Sequence, residues 1–193
     1  MDFFNLYKDG DEEPRTGDLL ISEPFLPDPN FERTVVLVCE HNEDGSFGFI
    51  LNKTSIFKFN EVLEEAGDFA ETVYVGGPVQ QDTLHFIHRS PLIEDGVDIG
   101  NGLVWGGNFE QLMIRVNSGG INANDFRFFL GYSGWSSGQL MEEMKENSWI
   151  LFRGATPAHI FDTDPIMLWK RVLEEMGGKY KLFSNYPTDP RLN

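Results

Sequence analysis

The chain has 193 residues, 40% hydrophobic and 13% aromatic with 17 phenylalanines. That is too apolar for a disordered chain and enough for a core without disulfides or metal. Acidic residues outnumber basic ones 31 to 15, a net charge of −16, and this field repels nucleic-acid phosphates. A lone cysteine, Cys39, excludes an intramolecular disulfide, and no apolar run approaches the ~18 residues needed to cross a bilayer.

In chain order, residues 1–8 lack the basic and apolar regions of a signal peptide, so a cytoplasmic location is expected. Residues 9–13 read as a solvated approach, within an acidic N-terminal stretch over 1–16, to a first strand at 18–22. Pro24, Pro27 and Pro29 then forbid helix and central strand and make a stiff connection. The β-branched run at 34–39 predicts a buried strand, Asp44-Gly45 its hairpin turn, and 47–52 the returning partner. Asn60 is placed to cap a short helix over 61–66, which Gly67 closes. Strands follow at 72–75, ending on Gly76-Gly77-Pro78, and at 83–88.

Asn108 and Gln111 form a capping pair for a helix running to about Asn117. A strand at 126–131, a helix at 137–146 and a strand at 149–152 come next. Asp164-Pro165 opens the last helix, with Ile166, Trp169, Val172, Leu173 and Met176 on one face and Gly177 at its end. Hairpins mixed with isolated helices, without a regular βαβ rhythm, predict one α+β domain over 1–193.

The sharpest chemical motif is Gly134-Trp135-Ser136-Ser137-Gly138, a G-x-S-x-G sequence between a predicted strand and helix, the setting of a nucleophile elbow. Its partners are out of order. His159 is the downstream histidine, Glu142, Glu143 and Glu146 share the serine's helix, and Asp162 and Asp164 follow the histidine. A helix cap accounts for Ser136 better, with Gln139 closing a capping box. Cys39 and His41 share a strand face but stand ~6.6 Å apart along it, and a cysteine among Val and Leu is expected to be a buried, slowly reacting core residue.

His85 and His88 should point to opposite sides of their strand, and no motif completes a metal site. Gly76-Gly77, Gly106-Gly107 and Gly119-Gly120 fit turns, not phosphate loops. Lys170, Arg171, Lys179 and Lys181 sit beside Glu174 and Glu175 and make no basic face. Tyr132, Trp135 and Trp149 flank a glycine-rich turn and fit a ligand pocket as well as they fit a core. No catalytic residue, metal or cofactor is assigned.

Several segments taken together resemble the AlgH/YqgE family. They are Gly17 to Ile21, Pro24 to Phe31, Arg33 to Leu37 with Glu40-His41, Gly48 to Asn52, Val73 to Val79, Leu84 to His88, and Arg127 through Trp135 to Leu140, with Trp149. The ordered combination spans about residues 17–155. The resemblance implies a bent, branching mixed sheet, partly closed into a small barrel and flanked by helices. It also brings the family's label of transcriptional regulator, although the chain shows no helix-turn-helix with a basic recognition helix. No catalytic residues come with the family. The positions matching its motifs, and expected to form a functional surface, are Arg33, Glu40, His41, Asn52, Gly76, Gly77, Tyr132, Trp135 and Gln139.

The leading expectation is a non-enzymatic regulatory or binding protein that acts through a protein partner or small ligand, without membrane or direct nucleic-acid contact. The alternative is an enzyme, a hydrolase using Ser136 or a thiol-dependent activity at Cys39.

Overall fold

The run beginning at Val35 is apolar on both of its faces, and the chain supplies helices to cover both. The computed structural model describes residues 12–187, so residues 9–11 of the acidic approach lie outside the described residues. The first half holds strands β1 (Leu19–Ser22), β2 (Val35–Asn42), β3 (Gly45–Ile50) and β4 (Thr54–Lys58), helix α1 (Phe59–Val62), then β5 (Thr72–Val75) and β6 (Val79–His88). The second half holds β7 (Val97–Gly100), β8 (Leu103–Trp105), α2 (Phe109–Ser118), β9 (Phe126–Ser136), α3 (Gln139–Lys145), β10 (Trp149–Phe152), α4 (Pro165–Met176) and α5 (Gly178–Phe183). This is a mixed α+β domain.

The hydrogen-bonded path runs β10-β1-β2-β3-β9-β6-β8-β7, with β4 pairing β5 and β5 pairing β9. β9 is the branch. Its first half lies between parallel β5 (Val73↔Phe128) and antiparallel β6 (Phe86↔Phe128), and its second half pairs with β3 from Gly48↔Ser133 to Gly45↔Ser136. Gly131 stands at the junction with φ +66°, where a Cβ would fall 2.7 Å from the Val79 carbonyl and 2.8 Å from that of Gly77. The bent, branching sheet is as expected; among the described residues the two end strands β10 and β7 do not pair, so hydrogen bonds do not close a barrel.

Alternation along the strands feeds three apolar clusters. Leu19, Ile21, Val35, Leu37, Phe49 and Phe129 pack under Leu168, Trp169, Val172 and Leu173 of α4. The opposite side chains of the same strands, Leu20, Val36, Val38 and Ile50, pack with Trp135 and Trp149 under Leu140 and Met144 of α3. Phe86, Phe126 and Phe128 pack under Leu112, Met113 and Val116 of α2. Burial at ~25 cal/mol per Å² makes these layers the main favourable term in folding.

Two helix starts follow their sequence signals. Asn108 accepts from the Gln111 amide at 3.0 Å, and Asp164 accepts from that of Ile166 at 3.0 Å ahead of Pro165. Other boundaries move. The hairpin turn is Glu43-Asp44, tightened by the Asp44 amide donating to Asn42 Oδ1, and Gly45 already belongs to β3. Asn60 lies inside α1 and donates to the Gly67 carbonyl rather than capping. On α4, Ile166 is 85% exposed and Leu168 takes its place in the core. Strands β4, β7 and β8, helix α5 and the π-helical turn at Ala158–Asp162 have no counterpart among the predicted elements.

Candidate functional site

The site begins with one extra residue in β2. Val38 pairs with Gly48 but Glu40 pairs with Phe47, so Cys39 is bulged. A bulge shifts the side-chain alternation beyond it. Glu40 therefore joins the face of Leu37, Phe47 and Phe49, while His41, opposite Ser46, turns to the other face. The expectation that Cys39 and His41 share a face is thereby corrected.

On the Glu40 side lies an open hollow of about 580 Å³ at the branch of the sheet. Its walls come from four strands: Phe47 of β3, Val79 and His85 of β6, Trp105 of β8, and Tyr132, Gly134 and Trp135 of β9. Glu40, Asn42 and Asp44 of the β2–β3 hairpin line its mouth. The Phe47 ring lies 4.7 Å from that of Trp105 at 63° and 6.1 Å from that of Tyr132 at 81°. His85 meets Tyr132 edge-on at 6.0 Å, and its Nε2 lies 3.0 Å from the Thr83 hydroxyl. Burial holds the His85 pKa below its ordinary value of 6.5, which keeps the ring neutral at pH 7. His88, three residues on, faces away and sits fully buried between the carbonyls of Ser90 and Gly106, each 3.0 Å from a ring nitrogen.

The residues expected from sequence divide sharply. Glu40, Tyr132 and Trp135 reach the hollow. Most of Trp135, and all of its companion Trp149, belong to the core under α3, and both indoles donate to Glu143 Oε2 at 2.8 Å. Gln139 is tied to the same carboxylate, its Nε2 donating to Glu143 Oε1 at 2.9 Å. Arg33 and Asn52 lie elsewhere. Asn52 accepts from the Val35 amide at 2.9 Å and donates to the Arg33 carbonyl at 2.8 Å, which braces Arg33 at φ +48°. The Arg33 guanidinium covers the Trp169 ring at 4.7 Å and donates to the Tyr186 carbonyl, pinning the C-terminal helices. Gly76 and Gly77 are structural too. A Cβ would come within 2.3 Å of the Gly131 carbonyl or 2.2 Å of Tyr132 backbone.

Phe47, Val79, His85, Trp105 and Gly134 are wall residues absent from the surface expected from sequence. The available signals were the Phe47/Phe49 spacing along one strand and a tryptophan directly before Gly106-Gly107.

The nucleophile candidates are placed unfavourably for catalysis. Helix α3 starts at Gln139 with Gly138 as its cap residue, so Ser136 is not the cap. The Ser136 amide and hydroxyl both donate to Gln139 Oε1, at 3.0 and 3.2 Å, which keeps half of the expected capping box. Cys39 is 3% exposed, and burial pushes its thiol far above the ordinary value. On the outer face of the hairpin, Ser46 Oγ lies 2.6 Å from His41 Nδ1, whose Nε2 is 3.5 Å from the exposed Glu13 carboxylate. Among the described residues no group of three or more His, Cys, Asp or Glu could hold a metal ion, and no helix is long and apolar enough to cross a membrane.

A family model described as AlgH-like (DUF179) matches residues 19–181. A UPF0301 protein of Cytophaga hutchinsonii is 48% identical over 179 residues, 92% of this chain and 98% of its own length. A UPF0301 protein of Chlorobium limicola is 46% identical over 180 residues, 93% of this chain and 96% of its own. Among solved structures, the solution structure of the AlgH protein from Pseudomonas aeruginosa is similar with TM-score 0.70 and 29% identity, covering 91% of this chain and 97% of that one. A crystal structure of a Corynebacterium diphtheriae protein shares the fold, with TM-score 0.72 and 24% identity over 91% of this chain and 94% of that one.

Proposed function

The chain belongs to the AlgH-like family, and from that premise we propose that it is a binding protein, without a reaction of its own, whose ligand site is the hollow at the branch of the sheet. One observation carries the reading: three strands converge aromatic side chains, Phe47, Trp105 and Tyr132, on a single hollow of about 580 Å³. A space of this size, apolar at its base and polar at its mouth, is the usual form of a small-molecule site. In this reading the protein works in the cytoplasm, and any regulatory effect passes through the ligand or a protein partner. The −16 charge opposes direct DNA contact, and Lys170 is drawn to Glu174 at 3.8 Å.

The test is retention of compounds from a cytosolic small-molecule extract, read by mass spectrometry after ultrafiltration. The wild type should enrich a compound that Trp105→Ala and Tyr132→Ala, checked for folding by circular dichroism, no longer enrich. Equal retention by all three proteins would rule out the hollow as the binding site.

A hydrolase reading draws on a separate observation, the Ser46–His41–Glu13 chain on the outer face of the hairpin. It has a nucleophile–base contact that Ser136 and Cys39 lack. Against it, Glu13 is exposed and 3.5 Å from the His41 ring, so water screens its charge and it holds the imidazole only loosely. A fluorophosphonate probe should leave the protein unlabelled. Labelling lost in Ser46→Ala would put the hydrolase first.

A further inference from the structure

We propose that the hollow takes a small organic cation, an alkylated ammonium group seated against Phe47, Trp105 and Tyr132 with the carboxylates of Glu40 and Asp44 at its mouth. This rests on the reading of the hollow as the binding site and adds the chemistry of the ligand.

The rings are disposed to receive such a group. Phe47 makes steep angles with both neighbours, 63° to Trp105 and 81° to Tyr132, so the three planes stand as walls and do not lie as one stack. The faces of such rings carry the negative end of the quadrupole and attract an ammonium group. Trp105 is only partly buried, although it packs against the main apolar cluster. A half-open tryptophan face is the strongest cation–π surface among side chains.

Charge points the same way. Among the described residues no lysine or arginine lines the hollow. His85, the one basic side chain there among the described residues, is kept neutral by its burial. Glu40 and Asp44 at the mouth are both exposed, and Asn42 Nδ2 donates to Glu40 and so holds that carboxylate in place. A phosphate or carboxylate ligand would meet no fixed positive charge and two negative ones, within a chain of net charge −16.

The bulge at Cys39 supports the assignment independently. In a regular ladder Glu40 would face away from Phe47; the inserted residue brings the carboxylate round to the aromatic side. The volume, about 580 Å³, exceeds an ammonium headgroup and leaves room for the rest of a small ligand.

The experiment compares choline, its neutral isostere 3,3-dimethylbutan-1-ol, and glycine betaine, which carries the same ammonium with an added carboxylate. Each is titrated into the full chain while Trp105 is followed through its indole resonance. Choline should bind at least about ten-fold more tightly than the neutral alcohol and than betaine, and added salt should weaken it. Glu40→Gln with Asp44→Asn should shrink the preference over the alcohol, and Trp105→Phe should weaken choline. If choline and the alcohol bind alike, the hollow is a binding site but the cationic ligand is wrong. If none of the three perturbs Trp105 at tens of millimolar, the cationic ligand is again overturned. Retention of an uncharged or anionic compound in the extract assay would then leave the hollow standing as the site, and failure there too would remove both.

Discussion

Glu40 stands opposite Phe47 across the β2–β3 ladder because Cys39 is inserted between Val38 and Glu40. One unpaired residue thus decides which side chains of the hairpin face the hollow and which face His41 and Ser46. The same bulge leaves the cysteine inside the main core, among Leu37, Phe49 and Phe129.

A buried thiol with a raised pKa holds almost no thiolate. The native protein should therefore react with a neutral-pH thiol reagent orders of magnitude more slowly than the unfolded chain. Fast labelling without denaturant would show that the strand opens at Cys39 and would return a thiol chemistry to consideration.

Glu143 carries more of the fold than its place on a surface helix suggests. One oxygen accepts from the Trp135 and Trp149 indoles, the other from Gln139. Glu143→Ala leaves two buried indole N–H groups without their acceptor and should cost about 2–4 kcal/mol in urea unfolding. Glu143→Gln, which keeps an acceptor oxygen, should cost less than half as much. Equal costs would mean the two indoles find water instead.

Stability should fall as pH drops below about 6.5. Burial holds both His85 and His88 below their ordinary value of 6.5, with the Gly106 and Ser90 carbonyls opposing the change at His88. Between the lowered folded values and the ordinary one, the unfolded chain binds more protons, so stability rises with pH there. Each histidine contributes ~1.4 kcal/mol for every pH unit that separates its folded and unfolded values. Asp18 and Glu23, whose carboxyls burial holds above 3.8 and 4.5, act in the opposite sense at lower pH. Urea midpoints at pH 7.5 and 5.5 measure the slope, and His85→Phe should remove part of it. An unchanged slope in that variant would assign the loss to other groups.

The fold is legible in the sequence where the signal is local. The β-branched run in β2 and the Asn108 and Asp164 caps need only their neighbours. β4 is not legible, because four of its five residues are exposed and no alternation marks it. β9 reads short because Gly131 and Gly134 look like turn residues, whereas Gly131 is the point where one strand changes partners. The site behaves similarly. Tyr132 and Glu40 stand out in the sequence, but what brings them together is a bulge and a branch, both set by long-range pairing. Ser136 shows the converse: Gln139 is its partner as its spacing implies, yet the helix starts three residues later, beyond the reach of a cap at 136.

Binding at the hollow can be tested in one spectrum, because the four tryptophans divide cleanly. Trp135, Trp149 and Trp169 are buried with their indoles donating to Glu143 or the Ser22 carbonyl; Trp105 and Trp135 both border the hollow, and of these two only Trp105 stands outside the buried core. With 15N-labelled indoles, a ligand retained from the cytosolic extract should shift the Trp105 resonance strongly, Trp135 less, and leave Trp149 and Trp169 nearly in place. A retained ligand that leaves Trp105 unmoved, and in a backbone amide spectrum instead shifts His41 and Ser46 on the outer face of the hairpin, would contradict binding at the hollow.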